Sequence, residues 1–359
     1  MKTPPLALIA ELTYRCPLKC VYCSNPLEME ERSKELTGPE WIRVLDQARA
    51  LGCLQAHFTG GEPTAKKELL ELVRHARSID LYTNLITSGL GVSADALDEL
   101  IAAGLDHVQL SFQDVSERDA NLISGVRSHA AKLAFARLVS ARNAAFTVNI
   151  VVHRHNLERL EEMIAMAEEL GAQKLEVAHV QYNGWAFANR AFLLPSKEQV
   201  QRSVAAIEKA RKRLGSKMRI DFVTPDYHGK YPKACMGGWG QKMMLINPYG
   251  QALPCHSAGI LPGLDLPDVR SQRLEWIWNE SSAFARFRGD AWMKEPCRSC
   301  DRKAKDFGGC HCQAFLIAGD PDMADPVCTL SPDRTRVDAF IDEAAEVGAA
   351  SSLQYRKSP

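Results

Sequence analysis

The chain has 359 residues, a length for two or three domains, and its 46% hydrophobic and 25% charged side chains are enough for a sizeable core. Basic and acidic residues number 44 each, which excludes strong global steering toward nucleic acid or an anionic membrane. No apolar run approaches the length of a bilayer span, and the start Met1-Lys2-Thr3-Pro4-Pro5 lacks the basic-then-apolar layout of a signal peptide, so a cytoplasmic globular protein is expected.

Along the chain, residues 6–12 predict a first strand. Helical periodicity over 40–51 follows Thr37 as an N-cap and stops at Gly52. Strands at 55–59, 80–87, 106–112, 146–152 and 174–180 alternate with helices at 66–77, 94–103, 116–123, 129–142 and 157–170. Six strand-then-helix units predict an α/β fold with a parallel sheet, a partial (β/α)6 TIM-like barrel two strands short of closure. Chemistry in such folds gathers at the carboxyl ends of the strands. After a helix at 197–214 the chain turns rich in Gly, Pro and Cys, a composition that needs metal staples to hold a core. Residues 334–347 read as a helix and 351–359 as a frayed tail. The expected organisation is a barrel over 1–222, a cysteine-rich unit over 223–333, and a helix and tail over 334–359.

The 11 cysteines are grouped: Cys16, Cys20 and Cys23, then Cys53 alone, then seven from Cys235 to Cys328. In a chain without a secretion signal, this grouping favours metal or cluster ligation over disulfides. Cys16, Cys20 and Cys23 have the spacing C-x3-C-x2-C just after the first strand. Three thiolates from one tight loop suit three corners of a four-iron cube and leave one iron open. Zinc is the rival, but a structural zinc wants four protein ligands, and no fourth cysteine or histidine follows nearby. Farther on, Cys235 and Cys255 are followed by Cys297-x2-Cys300, Asp306, Cys310, Cys312 and Cys328. Seven cysteines and one aspartate make eight ligands, enough for two clusters; a zinc ribbon on Cys297, Cys300, Cys310 and Cys312 is the alternative and leaves three cysteines unexplained. Cys53 reads as a small buried apolar residue, and His153, His155 and His179 as structural strand-end histidines.

The first triad in this context resembles the radical S-adenosylmethionine (SAM) superfamily. That resemblance implies a [4Fe-4S] cluster on Cys16, Cys20 and Cys23 whose open iron chelates SAM. One electron then frees a 5′-deoxyadenosyl radical. Tyr22 matches the family's aromatic position near the adenine. Thr59-Gly60-Gly61-Glu62-Pro63 is similar to the segment lining the methionine end, where Glu62 would accept from an ammonium group. Thr87, Ser88, Ser111, Gln113 and Asn149 stand at positions where the family places cofactor contacts, with Ser88 replacing the usual asparagine.

The later cysteines resemble the twin-cluster SPASM extension of peptide-modifying radical enzymes. By that analogy Cys235, Cys255, Cys310 and Cys312 hold an inner auxiliary iron–sulfur cluster. Cys297, Cys300, Asp306 and Cys328 hold an outer one, either being of [4Fe-4S] or [2Fe-2S] type. Tyr14-Arg15-Cys16-Pro17-Leu18, Gln181-Tyr182-Asn183-Gly184-Trp185-Ala186, Cys235-Met236-Gly237-Gly238-Trp239-Gly240 and Asp306 itself resemble the pyrroloquinoline quinone biosynthesis protein E (PqqE) family over residues 6–328. The family implies a Glu–Tyr carbon–carbon crosslink in the PqqA precursor peptide, a PqqD peptide chaperone and a flavodoxin-type reductant. Gln181, Tyr182 and Trp185 are the substrate-contact candidates. The rival readings are another SPASM enzyme, a sulfatase maturase or thioether-forming one, and a zinc-stapled scaffold without catalysis.

Overall fold

Burial with a period of two along the strands decides which way each side chain points. In the strand His107–Phe112, Val108, Leu110 and Phe112 are buried in the main apolar cluster, while His107, Gln109 and Ser111 point to the other face. In a computed structural model, which describes residues 3–346 and 353–357, the same alternation is seen in the strands at 55–60 and 174–179, whereas those at 7–13 and 243–246 are buried on both faces; all belong to one nine-stranded sheet. Its strands are β1 (Ala7–Thr13), β2 (Gln55–Gly60), β3 (Tyr82–Thr87), β4 (His107–Phe112), β5 (Ala145–Val152), β6 (Lys174–His179), β7 (Arg219–Val223), β8 (Met243–Ile246) and β9 (Ala252–Leu253). The order is β7-β6-β5-β4-β3-β2-β1-β8-β9, parallel at every pairing except β8 with β9.

The six expected strands and their helices form. Thr37 precedes the helix Gly38–Leu51, where its backbone N–H donates to Glu40 Oε2 at 2.7 Å, and Gly52 ends that helix at φ 106°. Two parallel strands, β7 and β8, lie beyond the expected six. The barrel stays open, because the sheet ends at β7 on one side and β9 on the other. Crossover helices cover the outer face, and the inner face is polar. Asn84 Nδ2 contacts His57 Nδ1 at 3.1 Å, and Gln109 Nε2 donates to Glu176 Oε2 at 3.2 Å. No helix among the described residues is long and apolar enough to cross a membrane.

The main core does not stop at residue 222. Met244, Ile246, Leu274, Ile277, Trp278 and Phe284 join the same apolar cluster as Leu8, Trp41 and Phe58. β8 docks on β1 from Ala7 opposite Met243 to Ala10 opposite Ile246. A second apolar cluster, with Trp239, Met243, Leu245, Phe287 and Ile9, surrounds Cys235, Cys255 and Cys312.

The expected helix end at Val347 and the tail residues Ser351, Ser352, Ser358 and Pro359 lie outside the described residues. The described part of the tail, 353–357, is packed rather than frayed. Gln354 bonds Asn189 through both its backbone N–H (2.9 Å) and its carbonyl (2.8 Å).

Candidate functional site

The cysteine loop begins where β1 ends and is fastened from three sides. The Gly61 and Glu62 N–H groups donate to Thr13 O (2.6 Å) and Arg15 O (2.7 Å). Lys19 and Val21 N–H groups reach Ser124 O (2.8 Å) and Ile123 O (3.1 Å). Trp185 N–H donates to Cys23 O at 3.2 Å, and Asn189 Nδ2 to Val21 O at 2.8 Å. Glycine is needed at two of these contacts. A Cβ on Gly60 would sit 2.4 Å from Thr13 O, and one on Gly61 would sit 2.4 Å from Arg15 O.

Cys16, Cys20 and Cys23 open on a cavity of about 390 Å³ at the carboxyl ends of the strands. Tyr22, Gly60, Gly61, Thr87, Ser88, Ser111, Gln113 and Gln181 share its wall, so most of the sequence-predicted set is brought together. Burial pushes the Cys16 thiol up to about 11 and the Cys20 thiol up to about 12, and raises Cys23 as well. Burial thus favours the protonated thiols, and a metal ion bound here would displace those protons. Among the described residues, no three His, Cys, Asp or Glu side chains converge tightly enough to grip one ion; the three thiols face a shared space instead.

Four expected contacts lie off this wall. Glu62, 2% exposed, has both carboxylate oxygens taken by protein donors. Oε1 accepts from Thr64 N (3.2 Å), Thr64 Oγ1 (2.9 Å) and Thr87 Oγ1 (2.7 Å), and Oε2 from Ser88 N (2.8 Å) and Ser88 Oγ (2.5 Å). It buckles the ends of β2 and β3 together. Asn149 is half-buried within β5, opposite Ser111 and Glu176. Tyr182 and Trp185 are buried. Tyr182 packs on Tyr227 with ring centroids 4.8 Å apart, in an apolar cluster with Val21 and Phe192. Asp114, after Gln113, is paired with Arg159, whose Nε donates to Oδ1 at 2.8 Å.

Two cations near the thiols carried no signal in the sequence. Lys132 is fully buried in the helix His129–Ala141, and its Nζ donates to Ser111 O at 2.7 Å. Burial lowers its pKa to about 8. Arg356, on the packed tail, lines the cavity itself. His256, beside Cys255, also lines it, and its Nδ1 lies 3.4 Å from Glu11 Oε1, whose other oxygen accepts from Tyr14 OH at 2.9 Å. The cavity of the amino-terminal thiols and the carboxyl-terminal cysteines are therefore neighbours.

Among the later cysteines, Cys255 Sγ lies 4.0 Å from Cys312 Sγ. Thiol hydrogen bonds from Cys235 and Cys312 push Cys255 and Cys310 toward the thiolate form. Asp325 accepts from Cys310 N at 2.8 Å and orients that loop. Cys297, Cys300, Asp306 and Cys328 line a separate small void of about 10 Å³. Asp306 is 8% exposed, takes Arg302 Nε at 3.1 Å, and faces the thiols, while Asp301 is exposed. Four thiols in one group, and three thiols with a carboxylate in the other, are donor sets that fit iron–sulfur clusters. Cys53 is buried in the main core, where burial raises its thiol to about 12 and leaves it inert.

The Radical SAM superfamily model matches residues 10–167, and the SPASM iron–sulfur cluster-binding domain model matches residues 235–301. The PqqA peptide cyclase of Methylobacterium nodulans is 50% identical over 98% of this chain and 93% of its own length. That of Gluconobacter oxydans is 50% identical over 99% of both. The fold is similar to that of Streptococcus suis SuiB bound to S-adenosylmethionine, with a TM-score of 0.77 at 18% identity over 91% of this chain and 77% of that one. With the thiol triad at the barrel mouth and half of all positions shared from end to end, the chain belongs to the PqqA peptide cyclase family of radical SAM enzymes.

Proposed function

We propose that this enzyme joins a glutamate side-chain carbon to a tyrosine ring carbon within a PqqA precursor peptide, a step in pyrroloquinoline quinone biosynthesis. When bound, SAM on a [4Fe-4S] cluster held by Cys16, Cys20 and Cys23 supplies a 5′-deoxyadenosyl radical, and two auxiliary clusters supply an electron acceptor. The reading is carried by one observation. Three thiols share one wall of a cavity with polar strand ends, of the size that takes a small-molecule cofactor beside them. The half-identical relatives are PqqA peptide cyclases, which supports the peptide as substrate.

Within that cavity the chain's own groups divide the work. The Gly60–Gly61 turn lets backbone approach the amino end of SAM, and Glu62 fixes Thr87 and Ser88 beside it. Tyr22 offers a ring face to the adenine, and Ser111 and Gln113 offer polar groups to the ribose. Asn149, in register with Ser111 on the inner face, and the buried Tyr182 and Trp185 lie next to this wall without lining it. Gln181, exposed at the end of β6, is the proposed peptide contact. Cys235, Cys255, Cys310 and Cys312 hold the inner auxiliary cluster, and Cys297, Cys300, Asp306 and Cys328 the outer. A PqqD chaperone delivering the peptide and a flavodoxin-type reductant complete the proposed system.

The atom balance defines the assay. One hydrogen leaves the glutamate γ-carbon, the new bond forms to the ring, and one proton and one electron leave the ring to restore aromaticity. Incubation with PqqA peptide, SAM and a low-potential reductant without oxygen should give a peptide lighter by two hydrogens, with a Glu–Tyr linkage in its fragment spectrum. A thioether or formylglycine product would overturn the assignment, and a colourless protein holding only zinc would favour the scaffold reading.

A further inference from the structure

The wall that carries the three amino-terminal thiols also carries a cation from the far end of the chain. Residues 353–357 run across the outside of the cysteine loop. Gln354 is held at its backbone by Asn189, whose Nδ2 also reaches Val21 O, so one amide ties tail and loop together. Tyr355 OH donates to Leu122 O at 3.1 Å, and its ring lies against Gly125, where a Cβ would come within 2.8 Å. Arg356 N–H donates to Lys19 O at 3.3 Å.

The Arg356 side chain then turns inward and is 1% exposed. Its Nη2 donates to Tyr14 O. Its Nε and Nη1 are buried without a close acceptor among the described residues, and the guanidinium lines the cavity of Cys16, Cys20 and Cys23 with the Cys23 thiol within its reach. A buried guanidinium with idle donors is costly unless an anion meets it. Its charge also opposes the effect of burial on all three thiols.

We propose that Arg356 is the counter-charge of the anionic group these thiolates hold, its idle Nε and Nη1 hydrogens donating to sulfur, so that the carboxyl-terminal strap sets how readily that group takes up an electron. The inference rests on the cluster reading of Cys16, Cys20 and Cys23 given above. Reduction adds one negative charge inside a water-poor wall, where a fixed cation acts strongly. Hydrogen bonds to cluster sulfurs and local charge are established levers on cluster potential. A guanidinium is suited to this because its charge persists at any pH the protein meets.

The test is an anaerobic redox titration of the iron-loaded protein, followed by electron resonance on the signal that changes when SAM is added. Arg356→Gln should disfavour reduction of that cluster about tenfold, a midpoint ~59 mV more negative for one electron. Arg356→Lys, which keeps the charge, should stay nearer the parent, and the auxiliary signals should not move in either variant. A midpoint in Arg356→Gln equal to the parent's overturns the proposal, and so do equal shifts in both variants or loss of the cluster in both. An unchanged midpoint with weakened SAM binding would assign the guanidinium to the ligand's carboxylate and equally overturn it. A parent protein with no SAM-responsive signal would overturn the cluster reading as well, so the two failures are distinguishable.

Discussion

Glu62→Gln keeps the size of a buried side chain and changes only what one of its two terminal atoms accepts. In the native site one oxygen serves Thr64 N, Thr64 Oγ1 and Thr87 Oγ1, and the other serves Ser88 N and Ser88 Oγ. A glutamine must turn its NH2 toward one of these groups. Hydroxyls rotate and become acceptors, but a backbone N–H does not, so either Thr64 N or Ser88 N is left facing another donor. One orphaned buried N–H costs about 1–3 kcal/mol, and loss of charge assistance on the remaining bonds brings the total to roughly 2–4 kcal/mol. If Glu62 is a brace, that energy is lost from the turn after β3. Amide hydrogen exchange at Ser88, Gly89 and Leu90 should then quicken by about thirty-fold or more, since each ~1.4 kcal/mol is a factor of ten. SAM affinity should fall only as far as Thr87 and Ser88 are displaced. Unchanged exchange in this segment together with abolished SAM binding would refute the brace and make Glu62 a direct ligand.

Other expectations follow from single contacts. Asp306→Ala should change the spectrum or midpoint of the outer cluster, whereas Arg302→Gln, which removes the same ion pair, should leave both in place; equal effects would deny ligation by Asp306. Gly61→Ala puts a Cβ 2.4 Å from Arg15 O and 2.6 Å from Tyr14 O, so the cysteine loop must shift, and iron at the amino-terminal site should drop while auxiliary iron stays. His153 is 0% exposed, and burial lowers its pKa to about 3. The unfolded chain therefore binds the proton first, and stability is lost as pH falls from about 6.5 toward 3, by roughly 2 kcal/mol at pH 5. His153→Gln should flatten the fall in unfolding midpoint between pH 7 and pH 5, and an identical fall in both proteins would contradict a buried neutral imidazole.

Local patterns carried most of the barrel. Thr37 and Gly52 bracket a helix that forms from Gly38 to Leu51, and the helix expected over 197–214 is Lys197–Leu214. What escaped was non-local. β8 has four residues, all buried, in a Gly- and Cys-rich stretch, and is a strand only because β1 offers it an edge. The same distinction runs through the site. Thiol spacing is covalent and legible, so Cys16, Cys20 and Cys23 could be read directly. The direction of a side chain depends on neighbours distant in sequence. Glu62 follows Thr87 and Ser88, Tyr182 follows Tyr227, and Arg356 follows a tail that Asn189 holds down. A tail with only Leu353 and Tyr355 as large apolar residues has no periodic pattern that announces such docking.

The pairing of β8 with β1 has a consequence for how the protein is made. During synthesis the first strand emerges early, yet one of its two edges has no partner until Met243–Ile246 leaves the ribosome. For that interval the nascent chain carries an apolar, unpaired border of the kind that templates aggregation. Cutting the gene after residue 222 would make this exposure permanent. Heterologous expression of the amino-terminal part alone should therefore give inclusion bodies, and a dissection into separately produced halves would need the later segment supplied during folding.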